Sequence, residues 1–247
     1  MTPAPNRFDN VFVIIPVLNE EGTIGAVVQA LRTLGLTHIR VIDNGSRDRS
    51  GAVATAGGAT VIFEPRRGYG QACWRGLQNL PETVEWILFC DGDGSDDVAQ
   101  VPAMLAQRRH YDLILGNRRA TLAGRRVMTA IQNFGNSLAT TLIHWGWGYR
   151  YHDLGPLRLI RRDALGRIQM RDRGFGWTVE MQARAIECGL RICELPVGYY
   201  PRKGGRSKIS GTLKGSVQAG TIILSTLGWL YWQQLRRRFS LQSQGHE

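Results

Sequence analysis

Asp91 and Asp93 are the residues whose type and spacing offer the clearest chemistry in this chain. They stand two apart where an apolar run, residues 84–90, gives way to Asp91-Gly-Asp-Gly-Ser-Asp-Asp97. Clustered carboxylates repel one another unless a cation joins them, and hard oxygen ligands of this kind suit Mg²⁺ or Mn²⁺. No Lys or Arg falls between Glu85 and Arg108 to neutralise them. A solvated acidic turn capping the next helix is the plain alternative, and Asp96 or Asp97 is expected to do that work.

The elements that must position this pair follow from periodicity. Residues 11–17, 38–42, 60–63, 84–90 and 111–115 read as strands, being short, apolar and rich in β-branched side chains. Helical patterns lie between them at about residues 19–34, with Thr23 as a cap, and at 48–56, 68–80 and 98–109. This alternation predicts an α/β fold with a mostly parallel sheet and helices on both faces. Asp43, the acidic cluster and Asn117-Arg118 each follow the C-terminal end of a strand. A parallel sheet gathers those ends at one edge, where open α/β folds bind ligands. Further helices are expected at about 125–145 and 177–188, with a basic, glycine-rich stretch at 200–208 suited to a phosphate.

The four cysteines form no C-x-x-C pair and imply reduced thiols rather than zinc ligands. The polar first ten residues carry no apolar secretory core, so a cytoplasmic location is expected. Charge is uneven. Residues 1–100 hold 8 basic and 12 acidic side chains, whereas residues 101–247 hold 23 basic and 8 acidic. The second half therefore calls for an anionic partner: a phosphorylated substrate, an anionic membrane surface or nucleic acid. Residues 215–235 carry no charge and end in Arg236-Arg-Arg238. The length suits a membrane span, but the glutamines, the glycines and the positive charge on both flanks fit one poorly. The aromatic residues there favour a helix lying in the membrane interface, with a core or homo-oligomer helix as the alternative.

Taken in order, seven motifs resemble glycosyltransferase family 2. The chain is most similar there to dolichyl-phosphate mannose synthase and the bacterial polyprenyl-phosphate glycosyltransferases. The motifs are Ile14-Ile-Pro-Val-Leu-Asn-Glu-Glu21, Asp43-Asn-Gly-Ser-Arg-Asp48, Gly68-Tyr-Gly-Gln-Ala72, Asp91-Gly-Asp-Gly-Ser-Asp96, Gly116-Asn-Arg118, Asp153-Leu-Gly-Pro-Leu-Arg158 and Arg202-Lys-Gly-Gly-Arg-Ser-Lys208. The resemblance implies a GT-A domain over residues 1–211, followed at 212–247 by an amphipathic, membrane-associating helix and basic tail. It implies a nucleotide-sugar donor (a UDP- or GDP-hexose) and a divalent metal, Mg²⁺ or Mn²⁺. Pro16, Glu20, Asp43, Gly70 and Asp91 then fall at donor-binding positions, and Asp91 and Asp93 at the metal pair. Arg118, Arg202, Arg206 and Lys208 fall where the group grips phosphates, and Asp153 near the reacting centre. Asp93, Asp153 and Arg118 are the catalytic candidates.

The expected activity is an inverting transfer of a sugar to a polyprenyl phosphate, by a peripheral protein on the cytoplasmic face of the membrane. A phosphate monoester, with its second pKa near 6, is already nucleophilic at neutral pH. A hydroxyl acceptor would need a general base, for which Asp153 is the candidate. A soluble phosphorylated acceptor or a lipid hydroxyl remains open. A nucleotidyltransferase would place a basic glycine-rich loop where Pro16–Glu21 is acidic, and a nucleic-acid binder would leave the strand-end carboxylates idle.

Overall fold

Seven consecutive residues, Val11–Val17, form β1 at the heart of the sheet, and only Pro16 among them is not fully buried. The computed structural model describes residues 8–202 and 213–244. β1 pairs in parallel with β2 (Ile39–Asp43) on one side and β4 (Trp86–Phe89) on the other, and β3 (Thr60–Phe63) extends the β2 edge. The β1–β4 ladder stops at Ile14↔Phe89. Pro16 therefore lies beyond the last residue that needs to pair on that side, which is why a proline is tolerated in a central strand. β4 is buried on both faces, as a strand sandwiched between helical layers must be.

The helices between these strands are α1 (Ile24–Thr33), α2 (Ser50–Ala56) and α3 (Tyr69–Gly76). In α1 the buried residues are Ile24, Val27, Val28 and Leu31, a single stripe at helical spacing. Thr23 precedes α1 but does not cap it; its hydroxyl donates instead to the carbonyls of Gly92 (2.8 Å) and Glu20 (3.2 Å). The helix expected over 98–109 is shorter. α4 covers Val101–Ala106 between two 3₁₀ turns, because Pro102 lacks the amide hydrogen that would extend the helix backwards.

β5 (Leu113–Asn117) is followed by α5 (Leu122–Val127) and α6 (Ala130–Trp147), not by one helix. The break comes at Thr129, whose side chain accepts from the Gln132 amide while the Gln132 side chain accepts from the Thr129 amide. This reciprocal capping box starts a fresh helix. β6 (Arg158–Arg161) then enters the sheet antiparallel between β4 and β5. α7 (Arg162–Ile168) and α8 (Trp177–Glu187) lead to β7 (Ile192–Pro196), parallel to β5. The order is β3-β2-β1-β4-β6-β5-β7, a mixed α/β sheet that is mostly parallel. Neither β6 nor β7 is expected from periodicity alone.

The last helix, α9 (Leu213–Gln244), is no detached appendage. Leu227 and Leu230 are buried, Ile223 packs against the core formed with α6 and α8, and Tyr231 meets Trp147 edge to face. Removing α9 would therefore uncover part of the core. No helix among the described residues is long and apolar enough to cross a membrane.

Candidate active site

The parallel strands deliver Asp43, Asp91 and Asn117 to one edge, each at or just past a strand's C-terminal end. The antiparallel sense of β6 adds to the same edge. Because it runs the other way, its entry loop, residues 153–157, arrives where its neighbours exit. That loop fits through two features of Asp153-Leu-Gly-Pro-Leu-Arg158. A side chain at Gly155 would lie 2.6 Å from the Gly116 carbonyl oxygen, so only glycine permits the approach. Arg158, fully buried, donates to the carbonyls of Gly155 (2.6 Å), Thr178 (3.0 Å) and Leu154 (3.3 Å), tying the loop to α8.

The first wall is two loops laced together. The Asn19 amide donates to Ser46 Oγ (2.9 Å), the Arg47 amide to Asn19 Oδ1 (2.7 Å) and the Glu20 amide to Ser50 Oγ (2.7 Å). Asp43 turns its own loop by accepting from the Ser46 amide at 2.7 Å. Asn44 is buried and holds Glu64, Arg66 and Gly68 through its side-chain amide. Gly70 is buried beneath the 172–174 loop, where a Cβ would come within 2.7 Å of the Asp172 carbonyl oxygen. Its position in the fold is thus set by close packing. Pro16 and Glu20 complete this side.

The carboxylates form the floor. Asp93 accepts from the Ser95 amide (2.9 Å) and hydroxyl (2.6 Å) through Oδ1. Asp91 accepts from the Tyr69 hydroxyl at 3.3 Å, and its amide donates to Asp96 Oδ2 at 2.9 Å. Burial first, and then the negative charge of Asp93, push the Asp91 pKa up to about 7. Burial and Asp91 likewise raise Asp96 well above the usual carboxylate range. Asp97 does not cap the following 3₁₀ turn with its side chain; it accepts from the Gly198 amide at 3.0 Å. Among the described residues no group of three or more His, Cys, Asp and Glu encloses a metal ion. Two crowded carboxylates do fit a hard cation that keeps waters and takes substrate phosphate as its remaining ligands.

Cations reach this floor from distant parts of the chain. Arg202 Nε lies 2.8 Å from Asp93 Oδ2, with Nη1 3.9 Å from Glu20 Oε1. Arg118 makes a two-pronged pair with Asp153, Nε to Oδ2 and Nη2 to Oδ1 both at 2.8 Å, and its amide donates to the same carboxylate. Burial opposes the charge on Arg118, yet the Asp153 carboxylate outweighs it and holds the guanidinium pKa above its ordinary value. Tyr199 lies under that guanidinium at 4.9 Å. Asp153 has no exposed side-chain surface and both its oxygens are engaged, a setting at odds with a general base that must reach an incoming hydroxyl. Arg206 and Lys208 lie outside the described residues.

Sequence reasoning missed Tyr69, Ser95, Asn44 and Tyr199. Ser95 was discernible, since an Asp followed two residues later by an amide partner is ordinary turn chemistry. The others act across long sequence separations.

The Arg202–Asp93 pair makes a specific expectation. A cation taken up at Asp93 would have to displace that guanidinium. Arg202→Ala should therefore tighten Mn²⁺ binding to the protein roughly three- to tenfold, in line with a partly exposed charge-assisted bond. Paramagnetic titration of free Mn²⁺ reads this directly, and unchanged or weaker binding would refute the competition.

Comparison with known proteins agrees with this geometry. The description Glycosyl transferase family 2 fits residues 12–169. An uncharacterized glycosyltransferase of Mycobacterium tuberculosis is 37% identical over 216 residues, covering 85% of this chain and 94% of the relative. The undecaprenyl-phosphate mannosyltransferase of Micrococcus luteus is 29% identical, covering 94% and 99%. Among solved structures, glucosyl-3-phosphoglycerate synthase of M. tuberculosis, in complex with phosphoglyceric acid, superposes with a TM-score of 0.72 at 21% identity, over 90% of this chain and 79% of that one. The same enzyme has been seen with Mn²⁺ and UDP-glucose. A sheet of this order, with carboxylates at its parallel strand ends and a family match over most of its length, makes the chain a member of glycosyl transferase family 2.

Proposed function

We propose that this glycosyltransferase moves a hexose from a UDP- or GDP-sugar to a polyprenyl phosphate, with inversion and with a divalent metal, as a peripheral protein at the cytoplasmic membrane face. The observation that carries the donor half is the Asp91–Asp93 floor. Burial, and then repulsion from Asp93, raise Asp91 to about 7, and a bound cation would relieve that crowding. When bound there, Mg²⁺ or Mn²⁺ supplies charge stabilisation to the departing diphosphate. Asp91 and Asp93 would hold it; Pro16, Glu20 and Asp43 would line the nucleotide side, with Gly70 setting the wall behind.

In the transfer, an acceptor phosphate oxygen forms a bond to the anomeric carbon. The bond from that carbon to the donor diphosphate breaks, and its electron pair leaves with the diphosphate. A dianionic phosphate needs no proton removed, which agrees with the burial of Asp153. Asp153 then acts as a positioning residue for Arg118. Arg202, the more accessible cation, takes the acceptor phosphate after leaving Asp93, with Arg206 and Lys208 supplying further charge from the same basic segment.

The likeness in sequence to an undecaprenyl-phosphate mannosyltransferase supports the lipid acceptor. A second reading, a soluble phosphorylated acceptor, draws on the fold neighbour seen with phosphoglyceric acid. Competing acceptors distinguish them: a short polyprenyl phosphate, its dephosphorylated alcohol and 3-phosphoglycerate, each offered with Mn²⁺ and the donor. Polyprenyl phosphate should be preferred by at least about tenfold in kcat/KM, the value of one charge-assisted contact. Equal use of the alcohol would reject a phosphate acceptor, and preference for phosphoglycerate would reject the lipid.

A further inference from the structure

A second cationic cavity, of about 440 Å³, opens along α6. Arg119, Arg125 and Arg150 line it, with His144 and His152, and no Asp or Glu is among its lining residues. None of Asp91, Asp93 and Asp153 lines it either. Arg119 is held in place by the His152 carbonyl (3.2 Å) and Ser137 Oγ (3.0 Å), so its guanidinium is fixed. Three guanidinium groups around one cavity, with no carboxylate among its lining residues, describe a seat for an anion.

Trp145 forms the boundary between this cavity and another of about 350 Å³. The second is apolar and lies between α6 and α9, lined by Leu142, Trp147, Leu224, Leu227 and Tyr231. A charged seat and an apolar slot sharing one wall match a ligand with an anionic head and a hydrocarbon tail. The surroundings have the same character. Trp145 is 76% exposed and Phe134 69%, and their spacing along α6 places both on one helix face. Trp229, Tyr231 and Trp232 are exposed on α9, and Arg236 lies over the Trp232 ring. Exposed aromatic residues accompanied by arginines are the composition of a membrane–water interface.

We infer that the α6 cavity binds the phosphate headgroup of an anionic membrane phospholipid, with the lipid's chain following the α6–α9 slot. Membrane contact then rests on the catalytic domain's own α6 as well as on α9, at a site separate from the acceptor phosphate. The inference goes beyond the proposed transfer reaction and stands whichever acceptor is used.

The test is co-sedimentation of the full chain with vesicles of phosphatidylcholine, with and without phosphatidylglycerol. The wild type should partition to the phosphatidylglycerol vesicles. Arg125→Ala and Arg150→Ala should each weaken that partitioning about fivefold, the usual worth of one basic residue at an anionic surface. Trp145→Ala should weaken it by a similar factor. All three residues are on the surface, and unchanged melting midpoints establish that the variants are folded. Wild-type partitioning by the two arginine variants would overturn the assignment by placing the contact elsewhere. So would equal binding to both vesicle types. A rise in melting midpoint with inorganic phosphate that depends on Arg150, without vesicle binding, would assign the cavity to a free phosphorylated ligand instead.

Discussion

Asp91→Asn should abolish metal-dependent sugar transfer and at the same time raise the melting temperature of the metal-free protein at pH 8. The two effects share one cause. Asp91 is pushed up to about 7 by burial and by Asp93, so deprotonating it costs folding free energy that an unfolded Asp does not incur. The sign follows from proton binding. Between the ordinary carboxylate pKa near 4 and about 7, the folded state holds a proton that the unfolded state has lost. Stability of the metal-free protein therefore falls as pH rises through this window and stays low above it. The amide keeps the shape and can still accept from Tyr69, but carries no charge, so the variant should lose this pH dependence. Turnover should drop by at least about a hundredfold, the scale of removing one electrostatic stabiliser of transition-state charge. Melting curves in EDTA from pH 5 to 8, beside transfer assays in Mn²⁺, check both halves. A variant less stable than wild type at pH 8, or one that retains turnover, would rule out the strained metal pair.

The largest loss of stability is expected from Asp153→Ala. It would leave Arg118 buried without the carboxylate that now engages Nε, Nη2 and the backbone amide. Breaking a buried pair from one side costs roughly 3–5 kcal/mol, a shift of roughly 10 °C for a domain of this size. Urea denaturation measures it. A general base would behave differently, since its removal would silence a hydroxyl acceptor and leave stability near the wild-type value. That result would restore Asp153 to proton transfer and remove it from the positioning of Arg118.

The parallel half of the sheet was legible because each strand there is a buried apolar run ending in turn residues, and the polar clusters fall at those ends. Asp43, Asp91 and Asn117 gather at one edge for that reason alone. β6 and β7 were not legible. Arg158–Arg161 begins with an arginine whose charge is buried against carbonyls, and Ile192–Pro196 is too short and mixed to show a period. Missing β6 hid the means by which Asp153 reaches the edge. The acidic turn also appears unneutralised when only neighbours in sequence are counted. Its cations, Arg202 and Arg118, come from other elements, and no local pattern registers such pairings.

The reading of residues 212–247 as an amphipathic, membrane-associating helix and basic tail left out, for a related reason, how α9 packs on the domain. Its uncharged stretch was read by composition, whereas Leu227 and Leu230 use one side of it to close the core. Trp229, Tyr231 and Trp232 stay exposed, as do Phe134 and Trp145 of α6.

The proposed transfer requires the strand-end carboxylates to hold a nucleoside diphosphate through a divalent cation. Calorimetric titration of UDP and of GDP into the wild-type protein, once with Mn²⁺ and once with EDTA, tests this most directly. One nucleotide should bind in Mn²⁺ at least about tenfold more tightly than in EDTA, a difference of 1.4 kcal/mol or more, and Asp93→Asn should erase the gain. Equal affinity in EDTA, or an undiminished metal effect in Asp93→Asn, would contradict it.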